Sequence, residues 1–173
     1  MRPPAPIHDL RVLLTDIDGV LTDGRIGYSA GADEIKFFDV KDGLGVKLLQ
    51  AAGLSVGVIS GRASKANRRR AAELGLDIVV EGATDKVSAL RQVLEQLGVS
   101  SEQCCYIGDD LVDLPIMRRV GVAVAPQDAV CEVRREAHYV TARNGGRGAV
   151  RETAEWLLRQ MGRWQEVIRR YDG

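Results

Sequence analysis

An α/β fold with a doubly wound, mostly parallel sheet is what this sequence predicts, and three observations carry the expectation. Short apolar runs alternate with segments of helical period along most of the chain. Several runs end in glycine, acid or serine, the residues that turn a chain at the end of a strand. The chain has 173 residues, 45% of them hydrophobic, which suits one domain (residues 1–173) with a core of its own.

The elements follow in order. Residues 11–15 make the first strand, closed by a carboxylate-rich turn. Arg25-Ile26-Gly27-Tyr28 and Glu34-Ile35-Lys36-Phe37-Phe38 flank Ser29-Ala30-Gly31-Ala32-Asp33, so a β-hairpin is predicted over about 25–38. Its apolar residues are many for a ribbon that is marginal on its own in water; cover from another subunit would explain them, as would packing on the chain's own helices. A helix is expected at 43–52 and a strand at 56–59. The next helix runs from Ser64, a candidate N-cap, to Gly75, a candidate stop. Strand 78–80, helix 85–98 and strand 104–107 continue the alternation. A short helix near 111–119, strand 122–124, a helix near 128–135 and strand 138–140 complete it. The tail, about 148–173, is predicted helical from Gly148 through Met161. No repeat or internal linker interrupts the series.

Composition excludes several function classes. Twenty-four Lys+Arg balance 24 Asp+Glu, which argues against a nucleic-acid partner. No apolar run approaches the roughly 20 residues of a membrane span, so no membrane association is expected. The start, Met1-Arg2-Pro3-Pro4-Ala5-Pro6, leads into charged residues and does not resemble a signal peptide. Cys104, Cys105 and Cys131 have no zinc-site spacing and fit a reduced, cytoplasmic protein. His8 and His138 offer poor support for a Ser-His-Asp nucleophile.

The chemistry gathers at strand ends, where doubly wound sheets bind ligands. The first strand ends Asp16-Ile17-Asp18-Gly19, the second Ser60-Gly61-Arg62, and a helix opens with Asp85-Lys86. A later strand ends Gly108-Asp109-Asp110, with Asp113 three residues on. Each alone is ordinary turn or cap chemistry; four in this order are not. Asp16 and Asp18, with Asp109 and either Asp110 or Asp113 nearby, repel one another unless a hard cation such as Mg2+ intervenes. A cation beside Ser60 and Lys86 makes a phosphoryl pocket. There Asp16 could act as a nucleophile, and Asp18, two residues on, as the acid and base for the leaving oxygen and water.

These residues resemble the motifs of the haloacid dehalogenase superfamily: DxD-G-V-L-T after strand one, a Ser after strand two, a lone Lys, and GDDxxD. The resemblance implies a Rossmann-like fold and Mg2+-dependent phosphatase activity. It makes Asp16 the nucleophile, Asp18 the acid/base, and Ser60 and Lys86 phosphate ligands. Mg2+ would be held by Asp16, Asp109 and the backbone carbonyl of Asp18. Neither the gap from Asp18 to Ser60 nor that from Lys86 to Gly108 has room for a separate cap domain, so a neighbouring subunit is the natural lid.

Within the superfamily, the chain is similar nearly end to end to the capless phosphatases that act on 3-deoxy-D-manno-octulosonate 8-phosphate, a step feeding lipopolysaccharide assembly. That similarity rests on TDIDGVLTDG, Phe38-Asp39-Val40-Lys41-Asp42-Gly43-Leu44-Gly45, Ile59-Ser60-Gly61-Arg62 and the run from Gly145 to Glu152. It implies a homotetramer. It also implies a substrate site lined by Asp18, Asp39, Val40, Lys41, Asp42, Gly43, Lys47, Arg62, Arg70, Lys86 and Arg147. Lys41 and Lys47 stand where many relatives carry Arg. Relatives acting on nine-carbon sugar acid 9-phosphates tend to carry Glu where this chain has Arg62 and Arg147, which favours the eight-carbon acid. The alternatives are a nine-carbon sugar-acid phosphatase, a silent oligomerising domain and a phosphoacceptor receiver domain. The receiver order of motifs does not match, because its phosphorylated Asp ends the third strand.

Overall fold

The computed structural model describes residues 5–31 and 33–171; Met1–Pro4 of the N-terminal reading, Ala32 of the hairpin turn and Asp172–Gly173 of the tail lie outside them. Along the chain come β1 (Val12–Thr15), the hairpin strands β2 (Gly27–Tyr28) and β3 (Glu34–Ile35), α1 (Val40–Ala51) and β4 (Ser55–Ile59). Then follow α2 (Lys65–Leu74), β5 (Ile78–Val80), α3 (Lys86–Leu97) and β6 (Cys104–Ile107). A 3-10 turn (Leu111–Asp113), α4 (Leu114–Met117), β7 (Val122–Ala125), α5 (Cys131–Glu136), β8 (Tyr139–Val140), α6 (Ala149–Gln160) and α7 (Trp164–Ile168) complete the series.

Six strands form one parallel sheet in the order β5-β4-β1-β6-β7-β8. The predicted α/β class is therefore the observed one, and no cap domain is inserted among the described residues. Every residue of β1, β6 and β7 is buried, as strands covered on both faces must be. Alternation then sorts side chains between the faces. Leu13, Cys105, Ile107 and Val122 pack toward α1 and α6, whereas Val12, Leu14, Cys104 and Tyr106 pack toward α3 and α4. Fully buried leucines such as Leu13 and Leu14 each contribute about 1.5–3 kcal/mol. Cys104 and Cys105 are core residues, and burial pushes both thiols far above their ordinary range, whereas Cys131 is exposed.

Local chemistry sets the helix ends. The Ser64 hydroxyl accepts from the Asn67 amide at 3.1 Å, and Gly75, at φ 61°, stops α2. The Asp85 carboxylate accepts from the Val87 and Ser88 amides at 2.9 and 3.1 Å, opening α3. Helix α1 departs from expectation by starting at Val40 instead of 43, because Asp39 caps it through the Lys41 amide at 2.7 Å. Glycines in its first turns argue against helix on propensity alone. Packing explains them: a Cβ on Gly45 would lie 2.8 Å from the Arg151 Cα of α6. The hairpin is shorter than predicted, with two paired residues per strand. Phe38 packs against the core while Tyr28, Ile35 and Phe37 stay exposed. Among the described residues no helix is long and apolar enough to cross a membrane.

Candidate active site

The chain leaves β1 toward β4 on one side and returns to β6 on the other. The carboxyl end of β1 is therefore the switch point of the sheet. Asp16 follows β1, Ser60 follows β4 and Asp109 follows β6, so the paired register of these strands converges their end residues. With Asp18, Arg62 and Lys86 they line a cleft of about 740 Å³.

The floor of this cleft is a buried network. Lys86 Nζ donates to Asp16 Oδ2 at 2.8 Å and to Asp113 Oδ1 at 2.7 Å. Tyr106 Oη donates to the same Asp113 oxygen at 2.7 Å. Asp113 Oδ2 accepts from the Asp109 and Asp110 amides at 3.0 and 3.3 Å, and Asp16 Oδ1 from the Ile17 amide at 2.7 Å. Burial pushes the Asp16 carboxyl up to about 6, with Lys86 opposing that rise and Asp113 adding to it. Burial alone would lower the Lys86 ammonium, but Asp113 and Asp16 outweigh it and hold it above its ordinary value.

Asp109 is different. Its Oδ1 is buried with no hydrogen-bond partner, and burial together with Asp113, Asp16 and Asp110 pushes its carboxyl up to about 8. Gly19, at φ 88°, makes room for it, since a Cβ there would run into the Asp109 carboxylate. Asp16, Asp109 and Asp113 each bring a carboxylate oxygen within 4.8 Å of the others. Asp113 is the least available of the three, because each of its oxygens already accepts two hydrogen bonds, against one for each oxygen of Asp16. Asp16 and Asp109 offer the hard oxygen donors that suit Mg2+, and a cation would relieve the stranded Asp109 oxygen. The residues present fit that ion.

Asp18 lies at the rim. Lys36 Nζ donates to its Oδ1 at 2.6 Å, and Arg62 Nε stands 4.0 Å from its Oδ2. Arg62 and Lys36 also share Glu34. The Arg62 hydrogen bond is the main cause holding the Glu34 carboxyl below its usual value. Ser60 Oγ is buried at the end of β4 and accepts from the Arg62 amide at 3.2 Å.

The structure does not bring the remaining sequence candidates to this cleft within one chain. Asp42 turns away to cap α6, accepting from the Gly148 and Arg151 amides at 3.1 and 2.8 Å, because Gly148 has no side chain to do so. Burial pushes the Asp42 carboxyl up to about 6 against those two donors. Lys47 Nζ donates to the Leu74 carbonyl at 2.6 Å, closing the carbonyl end of α2 at its far end from the cleft. Arg70 stacks over Phe38 at 5.6 Å and donates to the Asp39 carbonyl at 3.2 Å, filling the space beside Gly43. Asp39 is spent as the α1 cap, Val40 and Lys41 are exposed, and Arg147 pairs at the surface with Asp23 at 3.2 Å.

Lys36, Glu34 and Tyr106 were not among the sequence candidates. Lys36 had a legible signal: with Ile35 and Phe37 facing outward, period-two alternation turns Glu34 and Lys36 the other way. Tyr106 had none, since a tyrosine inside a strand reads as core.

The model of the haloacid dehalogenase-like hydrolases matches residues 64–152. A 3-deoxy-D-manno-octulosonate 8-phosphate phosphatase of Haemophilus influenzae is 41% identical over 157 residues, 91% of this chain and 87% of the relative. The crystal structure of the Moraxella catarrhalis phosphatase of that name, in complex with a magnesium ion, a phosphate ion and a KDO molecule, superposes with a TM-score of 0.93 at 36% identity, covering 96% of this chain and 95% of that one. The Yersinia pestis phosphatase structure gives a TM-score of 0.90 at 39% identity, covering 92% and 86%.

Proposed function

The chain belongs to the haloacid dehalogenase-like hydrolases, and from that premise we propose that it is an Mg2+-dependent phosphatase releasing 3-deoxy-D-manno-octulosonate and phosphate from the 8-phosphate. The observation that carries the reading is the pairing of the buried Asp16 with Lys86, beside an Asp109 oxygen that lacks a partner. A buried carboxylate held ionised by a lysine, next to a vacant oxygen donor, is an activated nucleophile beside a cation site.

Asp16, Asp109 and the backbone carbonyl of Asp18 would hold the ion, which supplies positive charge against the phosphoryl oxygens when bound. The Asp16 carboxylate attacks phosphorus as the bond from phosphorus to the sugar oxygen breaks. The Asp18 carboxyl gives that oxygen its proton. Water then attacks the aspartyl-phosphate, its proton passes to the Asp18 carboxylate, and the bond to Asp16 breaks. Both carboxyl groups return to their starting states. Lys86 keeps Asp16 ionised until it attacks, and the Ser60 hydroxyl donates to a phosphoryl oxygen. Asp113 and Tyr106 fix Lys86 without touching the substrate.

The same reading makes the chain a single-domain cytoplasmic enzyme of lipopolysaccharide synthesis and a homotetramer. Tyr28 and Phe37, 67% and 75% exposed, support a partner surface on the hairpin. A neighbouring subunit would cover the open cleft and bring the sugar-binding groups that one chain does not gather there. Phosphate release with Mg2+ from a panel of sugar phosphates tests the substrate. We expect strong preference for the eight-carbon acid; preference for a nine-carbon 9-phosphate would keep the mechanism and overturn the substrate. Light scattering on the eluted protein tests the tetramer, which a monomeric mass would refute.

A further inference from the structure

Among the described residues of the hairpin, Lys36 is the one side chain that is both charged and wholly enclosed: its side chain has 0% exposure. An ammonium out of water costs several kcal/mol unless it is paired, so its partners reveal why it is there. They are Asp18 Oδ1 at 2.6 Å and Glu34 Oε2 at 3.7 Å. Asp18 has little else to hold it. Its Oδ2 is buried without a hydrogen-bond partner, and the nearest guanidinium nitrogen, Arg62 Nε, is 4.0 Å away. The rotamer of this carboxylate therefore depends on Lys36. By engaging Oδ1, the ammonium leaves Oδ2 as the uncommitted oxygen of a group that lines the cleft.

Glu34 completes the arrangement from the other side. It lies between Lys36 and Arg62, so the cation that holds Asp18 is itself held. The Lys36–Asp18, Lys36–Glu34 and Arg62–Glu34 contacts all involve the hairpin segment, which places the alignment of the proton-transfer group under an element outside the main sheet.

We infer that Lys36 is a positioning residue for the reaction, acting through Asp18 and not on the phosphoryl group. This rests on the phosphatase reading above. The step it serves is the transfer of the Asp18 proton to the sugar oxygen as the phosphorus–oxygen bond breaks. An alkyl oxygen needs that proton, whereas p-nitrophenolate leaves without it.

The test is Lys36→Met, which keeps length and removes charge, assayed against the sugar phosphate and p-nitrophenyl phosphate. For the sugar phosphate we expect kcat to fall by about 100-fold with KM within about threefold, the mark of an interaction felt in the transition state. With p-nitrophenyl phosphate, the first-turnover burst of nitrophenolate stays within about threefold of wild type, since no leaving-group proton is required. In an Asp18→Asn background, adding Lys36→Met changes nothing further, because the group it positions is gone. Equal losses on both substrates, or a full further loss in the Asp18→Asn background, would overturn the inference and leave Lys36 a structural residue. Should Lys36→Met not fold, Lys36→Arg carries the same comparison with the cation displaced. An active wild type indifferent to Lys36→Met overturns this inference alone. A wild type inert toward both substrates overturns the phosphatase reading with it.

Discussion

Around Asp16 the charged side chains meet one another; at the start of α1 they meet the backbone. Lys86, Asp16 and Asp113 form a buried chain in which each group has a charged partner, and Asp109 keeps an oxygen free. In the α1 region, Asp39 and Asp42 cap helices, Lys47 closes another, and Arg70 bonds a carbonyl. Both regions are dense in polar residues, and the sequence alone does not separate them. The difference is one of commitment. A group that satisfies a helix end is spoken for by the fold, whereas a carboxylate buried among carboxylates is strained unless something else arrives.

The sharpest break between the regions is expected at Asp16. Asp16→Asn should remove at least about 10³-fold of the phosphate release while leaving the protein folded, because an amide cannot become the aspartyl-phosphate. Near-normal turnover would dismantle the nucleophile assignment. Next comes Lys86→Met, for which we expect a kcat loss on the order of 100-fold, since the buried Asp16 and Asp113 lose their shared cation. Stability should fall as well, by about 3 kcal/mol, because removing one partner strands the others; a denaturant titration measures it.

In the α1 region the balance reverses. Asp42→Ala leaves the Gly148 and Arg151 amides uncapped and should cost about 2 kcal/mol of stability, with kcat per folded molecule within about threefold. If activity collapses while the melting temperature holds, Asp42 belongs to the substrate after all. Lys47→Met is milder, roughly 0.5 kcal/mol by thermal denaturation, because its ammonium sits at an exposed helix end.

The last effect is one of pH. Folding raises the Asp42 carboxyl from 3.8 to about 6, so the folded state binds that proton more tightly. The stability tied to it is fully present below about pH 4 and is lost as pH rises through about 6. The melting-temperature advantage of wild type over Asp42→Asn should therefore shrink between pH 4.5 and 7. A flat difference would mean that the two amides fully offset the burial.

The same contrast explains what was legible beforehand. Asp16, Ser60 and Asp109 could be placed because strand ends are predictable from apolar runs, and a parallel sheet brings strand ends together; Lys86 could be placed because it opens a helix just after a strand. The helices at 64–75 and 85–98 were legible through Ser64, Gly75, Asp85 and Gly98, whose cap chemistry is local. The start of α1 was not, because Gly43 and Gly45 answer to Arg70 and to α6, partners far away in sequence. The contacts of Asp42, Lys47 and Arg70 were not legible for the same reason: the helix ends and ring that they meet belong to other segments. Asp113 stood open between alternatives, and only its hydrogen bonds to Lys86, Tyr106 and two amides separate supporting the site from holding an ion.

The position of β1 between β4 and β6 has a consequence in time. Asp16 comes near Asp109 only once Val12 has paired with Cys104 and Thr15 with Ile107, partners drawn from opposite halves of the chain. Pairings so remote form late, since the intervening chain must be closed before contact rewards it. During synthesis at about 5–20 residues per second, Asp16 exists for roughly five seconds or more as an ordinary aspartate before Asp109 is made. A nascent chain that shows its first motif cannot yet hydrolyse anything. On refolding, the return of activity should lag the return of helical signal and mark the moment when the two halves of the sheet close.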